Sequence, residues 1–326
     1  MNMNKSLVIL LAAAGFALTG AEPLTVSCTT YPVWLLTREI TAGAKNVRTE
    51  LMIPAGTGCP HEYVLTPADM RKLGAKNLIV VRNGLGLDDF VVKPLQKMNP
   101  KAPVVEACAG LQALPAESCR CREHGKHEEH GHHHGHHEHG EHHHDHGHHE
   151  HHEHHGVNPH LFASPDTALG MVRNIAAGLC EADGANAELY RKNEARFAAE
   201  LSRLVSEAES LKKLVAGKNV LVQHGIFNYL ARLLGLVVAA ELQHEGVAPS
   251  AAEMRKLTET IRSRKAAVIF TEPQYSPQTA RTLARECKIK VCQLDPLSGG
   301  PEKPAPDHYV SVMRENFRKI RSALER

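Results

Sequence analysis

One stretch of the chain, residues 185–214, constrains the fold more than any other, because it has the pattern of a single long amphipathic helix. Apolar residues recur through it at helical spacing, charged residues lie between them, and it contains no proline or glycine. A helix of about 30 residues is about 45 Å long, which exceeds a typical core helix. We therefore expect it to span two lobes; two shorter helices that meet near Ser206 are the alternative.

Short apolar runs rich in β-branched residues alternate with helical patterns on both sides of this stretch. Such alternation indicates βα units and a parallel sheet, and hence an α/β fold. A chain of 326 residues suffices for two lobes, each with its own core. We expect an N-terminal lobe over 22–183, a linking helix over 184–215 and a C-terminal lobe over 216–326. The predicted strands are 24–26, 47–52, 78–81, 104–105, 220–222, 267–270 and 289–291, and the predicted helices are 33–40, 67–73, 88–97, 227–234, 250–262, 277–286 and 307–324.

The first 21 residues have the pattern of a secretory signal peptide. Lys5 precedes an apolar run over 7–18, and the small residues around Ala21 suit a signal peptidase. A membrane anchor would need about 20 apolar residues. We expect export to the periplasm with cleavage near Ala21. The first cysteine, Cys28, comes too late for a lipid anchor.

Eight cysteines in an exported chain favour some disulfides, although their number assigns no pairs. Cys287 and Cys292 are close enough in sequence to close a short loop. Buried free thiols are the alternative for any one pair. Cys59, two residues before His61, could be a soft metal ligand, half of a disulfide or a bystander, and we favour one of the last two.

The segment 124–155 holds 19 of the 24 histidines, and almost all of its other residues are Glu or Gly. It has no apolar residue to bury, so we expect a disordered loop over 122–156 that interrupts the N-terminal lobe. Its histidine clusters can recruit several zinc ions at modest affinity, and an inert linker is the alternative. The clusters are His132, His133, His134, His142, His143 and His144.

Five histidines remain outside that segment: His61, His160, His224, His244 and His308. The first three lie at strand ends or in turn-like contexts, where open α/β sheets bind ligands. Neutral imidazole is a usual zinc ligand, although an isolated histidine is more often an ordinary hydrogen-bonded residue.

Two carboxylates follow the last predicted strands. Asp295 follows the final strand and Glu272 follows the one before it, so either can reach the same cleft. Alternatively, Glu272 caps the next helix, or Asp295 holds a turn.

Six short motifs are spread along the chain between residues 60 and 297. They are Pro60-His61-Glu62-Tyr63, Thr66-Pro67-Ala68-Asp69, Asn158-Pro159-His160, Gln223-His224-Gly225-Ile226-Phe227-Asn228-Tyr229, Phe270-Thr271-Glu272-Pro273-Gln274 and Leu294-Asp295-Pro296-Leu297. Their combination and order resemble the zinc-binding solute-binding proteins of bacterial ABC importers. The resemblance implies two α/β lobes with parallel sheets, joined by one long rigid helix, with one metal between the lobes.

The same resemblance implies the ligands. His61, His160 and His224 match the family's three histidines, and Asp295 matches the carboxylate that some members use as the fourth; Glu62 and Glu272 are possible supporting or alternative ligands. The chain departs from the family at Asn158 and Gly225, where Asp is common. Because these positions lie beside the ligands, the departures bear on ligand orientation.

The implied function is that of a periplasmic protein that captures Zn²⁺ with high affinity and delivers it to the permease of an inner-membrane ABC importer. Three imidazoles and one carboxylate suit tetrahedral zinc, whereas manganese favours more oxygen ligands. We expect a monomer that is not an enzyme. A net charge of +2 gives no electrostatic reason to bind nucleic acid. The alternatives are a zinc buffer or chaperone, an adhesin on the same fold, and a zinc hydrolase.

Overall fold

The computed structural model describes residues 22–57, 60, 63–115, 156–242 and 249–325. Within these ranges, eight strands form two parallel sheets of four strands each. The order is β2-β1-β3-β4 in the first sheet and β6-β5-β7-β8 in the second. The strands are β1 (Leu24–Cys28), β2 (Val47–Leu51), β3 (Leu78–Arg82), β4 (Val104–Glu106), β5 (Asn219–Val222), β6 (Val237–Glu241), β7 (Val268–Thr271) and β8 (Lys290–Gln293).

Helices connect and cover these strands, so the predicted α/β class with two lobes is confirmed. All of the predicted strands and helices correspond to observed elements. Their bounds shift by up to two residues, except that the predicted helix over 88–97 is a 3-10 turn over Asp89–Val91 followed by an α-helix that begins at Val92. The helices are α1 (Tyr31–Thr41), α2 (Pro67–Leu73), α3 (Val92–Met98), α4 (Pro165–Ala182), α5 (Ala187–Val215), α6 (Asn228–Leu233), α7 (Ala251–Arg264), α8 (Gln278–Cys287) and α9 (His308–Leu324).

Helix α5 is a single continuous helix of 29 residues, as the sequence predicts, and the alternative of two helices is wrong. At 1.5 Å per residue it is about 44 Å long. It packs against α1 and α4 of the first lobe and against α9 of the second. The buried Asn193 fixes its position, because its amide donates hydrogen bonds to the carbonyls of Ile40 and Ala42, each at 2.9 Å.

The apolar core has one inner part and two outer parts. Alternate residues of each strand point to opposite faces of its sheet, so Val220 and Val222 of β5 face the inner core while Leu221 faces an outer one. The inner core is continuous through both lobes, and the outer cores belong to one lobe each. Representative inner-core residues are Val26, Leu36, Met171, Phe197, Leu204, Val222, Phe270 and Phe317. The outer cores include Met52, Leu73, Val80 and Leu95 in the first lobe and Leu221, Leu257, Ile269 and Leu283 in the second.

Two elements were absent from the sequence prediction, namely β6 and α4. Helix α4 contains Gly170 and Gly178, which disfavour a helix on sequence alone. Their packing explains them: a Cβ at Gly170 would lie 2.8 Å from the Leu111 side chain, and one at Gly178 would lie 2.7 Å from Val105. Only glycine therefore lets α4 lie this close to β4 and to the segment that follows it.

Cys287 and Cys292, one pair that could have closed a short loop, form no disulfide. Cys287 packs against the outer core of the second lobe, whereas Cys292 packs against the inner core, so the β8 sheet separates the two thiols. Among the described residues, the five cysteines are all free. Cys59 lies outside the described residues.

The two ends of the histidine-rich insertion meet in space. Pro115 and Val157 form an antiparallel bridge, and the amide of Asn158 donates to the carbonyl of Leu114 at 2.8 Å. The described residues that flank 116–155 in sequence therefore lie side by side in the first lobe. The predicted loop, except Gly156, and the predicted signal peptide over 1–21 lie outside the described residues. In the part of the chain that is described, no helix is both long and apolar enough to cross a bilayer.

Candidate metal centre

A histidine from each lobe meets at the centre of the molecule. His160 lies just before a 3-10 turn over Leu161–Ala163, and His224 lies between β5 and a 3-10 turn over Gly225–Phe227. The centroids of the two imidazole rings are 5.0 Å apart, with 78° between the ring planes. Both side chains are buried. The structure thus brings together two of the three predicted histidine ligands.

His160 is held by an uncharged amide. Asn158 Oδ1 lies 2.8 Å from His160 Nδ1 and also accepts a hydrogen bond from the His160 backbone N–H at 3.0 Å. Phe162 packs edge-on against the imidazole, at 5.8 Å between centroids. These contacts fix both the position and the orientation of the ring.

His224 lies beside a buried carboxylate instead. Its Nδ1 is 3.7 Å from Oε1 of Glu272, and the ring of Tyr275 lies 6.5 Å away. Glu272 is fully buried, and its other oxygen accepts a hydrogen bond from Gln274 Nε2 at 2.5 Å. Burial raises the pKa of Glu272 well above its ordinary value, and the negative charges of Asp295 and Glu241 add to that rise.

Asp295 follows β8, and hydrogen bonds with α9 hold its backbone in place. Asn316 of α9 accepts a hydrogen bond from the Asp295 N–H at 3.0 Å and donates one to its carbonyl at 2.7 Å. The Asp295 carboxylate accepts a hydrogen bond from the Leu297 N–H at 2.8 Å. Burial raises the pKa of Asp295, while the Leu297 N–H and the nearby His308 oppose the rise.

His308, to which the sequence assigns no role at the site, is close enough to Asp295 for their charges to interact. Burial lowers its pKa, and the charge of Asp295 acts in the opposite direction. Its ring also lies edge-on to Tyr31 of α1, with centroids 6.4 Å apart. The interaction follows from the fold, because His308 begins α9, and Asn316 of the same helix hydrogen-bonds to the backbone of Asp295.

Several predicted site residues lie outside the described residues. They are His61, Glu62 and the auxiliary histidines His132, His133, His134, His142, His143 and His144. His244, which was not predicted to be a ligand, also lies outside them. Among the residues that are described, no three His, Cys, Asp or Glu side chains are grouped closely enough to hold an ion. The described part of the centre is a histidine pair with Glu272 beside it and Asp295 further along the same sheet edge.

The segment that carries His61 is anchored just after that residue. The Tyr63 hydroxyl donates to Asp69 at 2.9 Å, and Asp69 also accepts hydrogen bonds from the backbone and the hydroxyl of Thr66, which caps α2. Burial alone would raise the pKa of Asp69, but these hydrogen bonds outweigh it and leave the pKa below its ordinary value.

Sequence reasoning missed two supporting amides. Asn83 directly follows β3, and its amide donates to the carbonyl of Pro159 at 3.0 Å, next to His160. Gln223 directly follows β5; it accepts from the Glu272 N–H at 3.0 Å and donates to the Ser276 carbonyl at 3.2 Å. The strand-end rule that selects His224 also points to both of these positions.

Two parallel α/β lobes on one long helix, with a histidine from each lobe between them, define the class of the solute-binding proteins. Within this class, the chain belongs to the ZnuA family, described as "Zinc-uptake complex component A periplasmic", whose model matches residues 26–323.

Individual relatives agree with the family assignment. The chain is 31% identical over 309 residues to the zinc-binding lipoprotein AdcA of Streptococcus pneumoniae, covering 93% of this chain but only 56% of that protein. It is 30% identical over 315 residues to the high-affinity zinc uptake system protein ZnuA of Bacillus subtilis, covering 95% and 90%. Among solved structures, the SBP FpvC of Pseudomonas aeruginosa in complex with Mn²⁺ superposes with a TM-score of 0.72 at 26% identity, covering 93% and 98%.

Proposed function

We propose that this chain is an exported protein that binds one Zn²⁺ tightly between its lobes and delivers it to the permease of an ABC importer. The observation that carries the proposal is the buried contact between His160 and His224, 5.0 Å between ring centroids, in a member of a zinc-uptake family. His61 and Asp295 complete the proposed ligand set. Glu272 and Glu62 are supporting or alternative ligands.

Zinc is the proposed cargo because of the donor atoms. Three imidazoles and one carboxylate form a nitrogen-rich set of four, which suits tetrahedral zinc. Manganese favours more oxygen ligands and a higher coordination number. The FpvC structure in complex with Mn²⁺ shows that a similar fold can hold another ion, so ligand chemistry and not fold must set the preference.

The remaining parts of the proposal concern compartment and partner. The basic and apolar pattern over 1–21 supports export and cleavage near Ala21, and the family description supports a periplasmic location. The protein acts as a monomer and releases its ion unchanged, without catalysis. The histidine-rich insertion collects further ions at lower affinity.

The test is the metal content of the protein after expression in medium that contains zinc, manganese, copper and nickel together. We expect one equivalent of zinc to remain after removal of the residues between Pro115 and Gly156, since no proposed cleft ligand lies there. A chain that retained manganese, or no metal, would contradict the proposed cargo. Intact-mass analysis of the secreted protein tests cleavage near Ala21.

A further inference from the structure

Asn158 contacts the histidine-bearing segments of both lobes. Its side-chain oxygen accepts hydrogen bonds from the backbone N–H and the ring Nδ1 of His160, at 3.0 and 2.8 Å. Its side-chain nitrogen donates to the carbonyl of Gly225 at 2.8 Å, and Gly225 directly follows His224. The side chain is fully buried.

The backbone of Asn158 is held as firmly as its side chain. Its N–H donates to the carbonyl of Leu114 at 2.8 Å, and its own carbonyl accepts from the Tyr229 hydroxyl at 2.6 Å. The same hydroxyl accepts from the Leu114 N–H at 2.9 Å. These hydrogen bonds hold Asn158 in place. The positions of His160 and His224 are therefore set relative to Asn158.

Two backbone groups fix which way the amide points. The Gly225 carbonyl can only accept, so the group facing it is the NH₂; the His160 N–H can only donate, so the group facing it is the oxygen. Because that oxygen also faces His160 Nδ1, the ring must carry its proton on Nδ1. The lone pair is then on Nε2, the nitrogen with which the ring would bind a metal.

We propose that Asn158 is a positioning residue that sets the tautomer of His160 and joins the two histidine-bearing segments before zinc arrives. Aspartate in its place would retain the acceptor but lose the donor to Gly225. The identity of this residue as asparagine therefore couples the lobes as well as orienting a ligand. The inference rests on the proposed function, since it concerns the same ion.

The experiment compares Asn158→Leu with Asn193→Leu, using zinc titration and ¹⁵N NMR of the histidine rings. Asn193 is the matched control, because it is also a buried amide that donates to backbone carbonyls but lies between α5 and α1. Asn158→Leu should lower zinc affinity by roughly 10 to 100-fold, as is typical when the partner of a metal-binding histidine is removed. The Nδ1–H tautomer of His160 should no longer dominate in the metal-free protein.

A second pair, Asn158→Asp and Asn193→Asp, covers the case in which the leucine variant does not fold. Asn158→Asp should keep the His160 tautomer and lose roughly five-fold in zinc affinity, the net value of one hydrogen bond. The inference is overturned if the Asn158 variants bind zinc as well as their Asn193 counterparts, or if Asn158→Leu keeps the wild-type tautomer. The tautomer is measured without metal, so it tests Asn158 even if the wild-type chain proves not to bind zinc, which would defeat the proposed function instead.

Discussion

The two lobes have the same sheet order but surround their histidines with different chemistry. In the N-terminal lobe, His160 contacts the neutral amide of Asn158. In the C-terminal lobe, His224 lies 3.7 Å from the carboxylate of Glu272, and Asp295 is close enough for its charge to raise the pKa of Glu272. The N-terminal lobe thus supplies fixed geometry, and the C-terminal lobe supplies negative charge that a divalent cation would offset.

The largest effect should come from removing either histidine of the pair. His160→Ala and His224→Ala should each lower zinc affinity by well over 100-fold, because water is a poorer ligand than imidazole. Loss of a residue that only hydrogen-bonds to a metal ligand already lowers affinity by roughly 10 to 100-fold. Competition titration against a zinc indicator, in the background that lacks residues 116–155, measures this. His244→Ala is the histidine control, and equal affinities for all three variants would rule out the centre.

A smaller effect should follow from changing the charged side of the centre. Asp295→Ala should cost roughly ten-fold in zinc affinity, because water can fill a fourth position as it does in catalytic zinc sites. His308→Ala, adjacent to Asp295, should cost less than that but more than His244→Ala. If Asp295→Ala proved as damaging as His224→Ala, the C-terminal lobe would contribute more than charge.

The two lobes also begin a helix in the same way, which allows a matched comparison of stability. Helix α2 starts with a capping box of Thr66 and Asp69, and α7 starts with one of Ser250 and Glu253. Asp69→Asn should lower the free energy of unfolding by about 1 kcal/mol at pH 7. Glu253→Gln should lower the free energy of unfolding by less, because the Ser250–Glu253 capping box is exposed, whereas Asp69 is buried and also accepts a hydrogen bond from Tyr63.

The loss in free energy of unfolding that Asp69→Asn causes should depend on pH. The pKa of Asp69 is lower in the folded chain than in the unfolded chain, where it is about 3.9. Its stabilising contribution is therefore present above the unfolded pKa and is lost as pH falls through the folded pKa. Chemical denaturation of both variants at pH 7 and pH 3 measures this, and a cost that persisted undiminished at pH 3 would contradict it.

The smallest effect on the tight ion should come from deleting residues 116–155. Pro115 and Val157 are already bridged, so the deletion leaves the first lobe intact. Shortening the loop should leave the free energy of unfolding unchanged or raise it by up to about 2 kcal/mol. Calorimetric titration should show that the weak ions disappear and the tight one remains; loss of the tight ion would place it in the insertion.

The strands and helices that sequence patterns found are those with simple periodicity. Strands β3, β5 and β7 are buried on both faces and appear as continuous apolar runs. Strand β6 lies at a sheet edge with Val237 47% exposed. Its apolar run over 236–240 follows Leu233 and Leu234 at the end of α6 with only Gly235 between them, so the sequence pattern gives no clear boundary for a separate strand. Helix α4 was missed because its two glycines serve tertiary packing, which local propensity does not contain.

At the centre, the pairing of His160 with His224 was predictable. His224 follows the strand-end rule, His160 lies in a turn-like context, and both match a family motif. The proximity of His308 to Asp295 was not predictable. The residues between them, 296–307, have no periodicity that indicates how the chain returns to the site. Their path depends on contacts with the other lobe, such as the hydrogen bond from the Tyr31 hydroxyl to the Pro301 carbonyl at 3.2 Å.

The continuity of the inner core has a thermodynamic consequence. Side chains from both sheets and from α5 belong to one apolar cluster, so neither lobe can lose its inner layer without exposing that of the other. Domains that share a core unfold together, whereas independent domains melt separately. Heating the metal-free chain should therefore give a single calorimetric transition, with equal van't Hoff and calorimetric enthalpies. Hydrogen exchange should be slowest in α5 and fastest in the elements of the two outer layers.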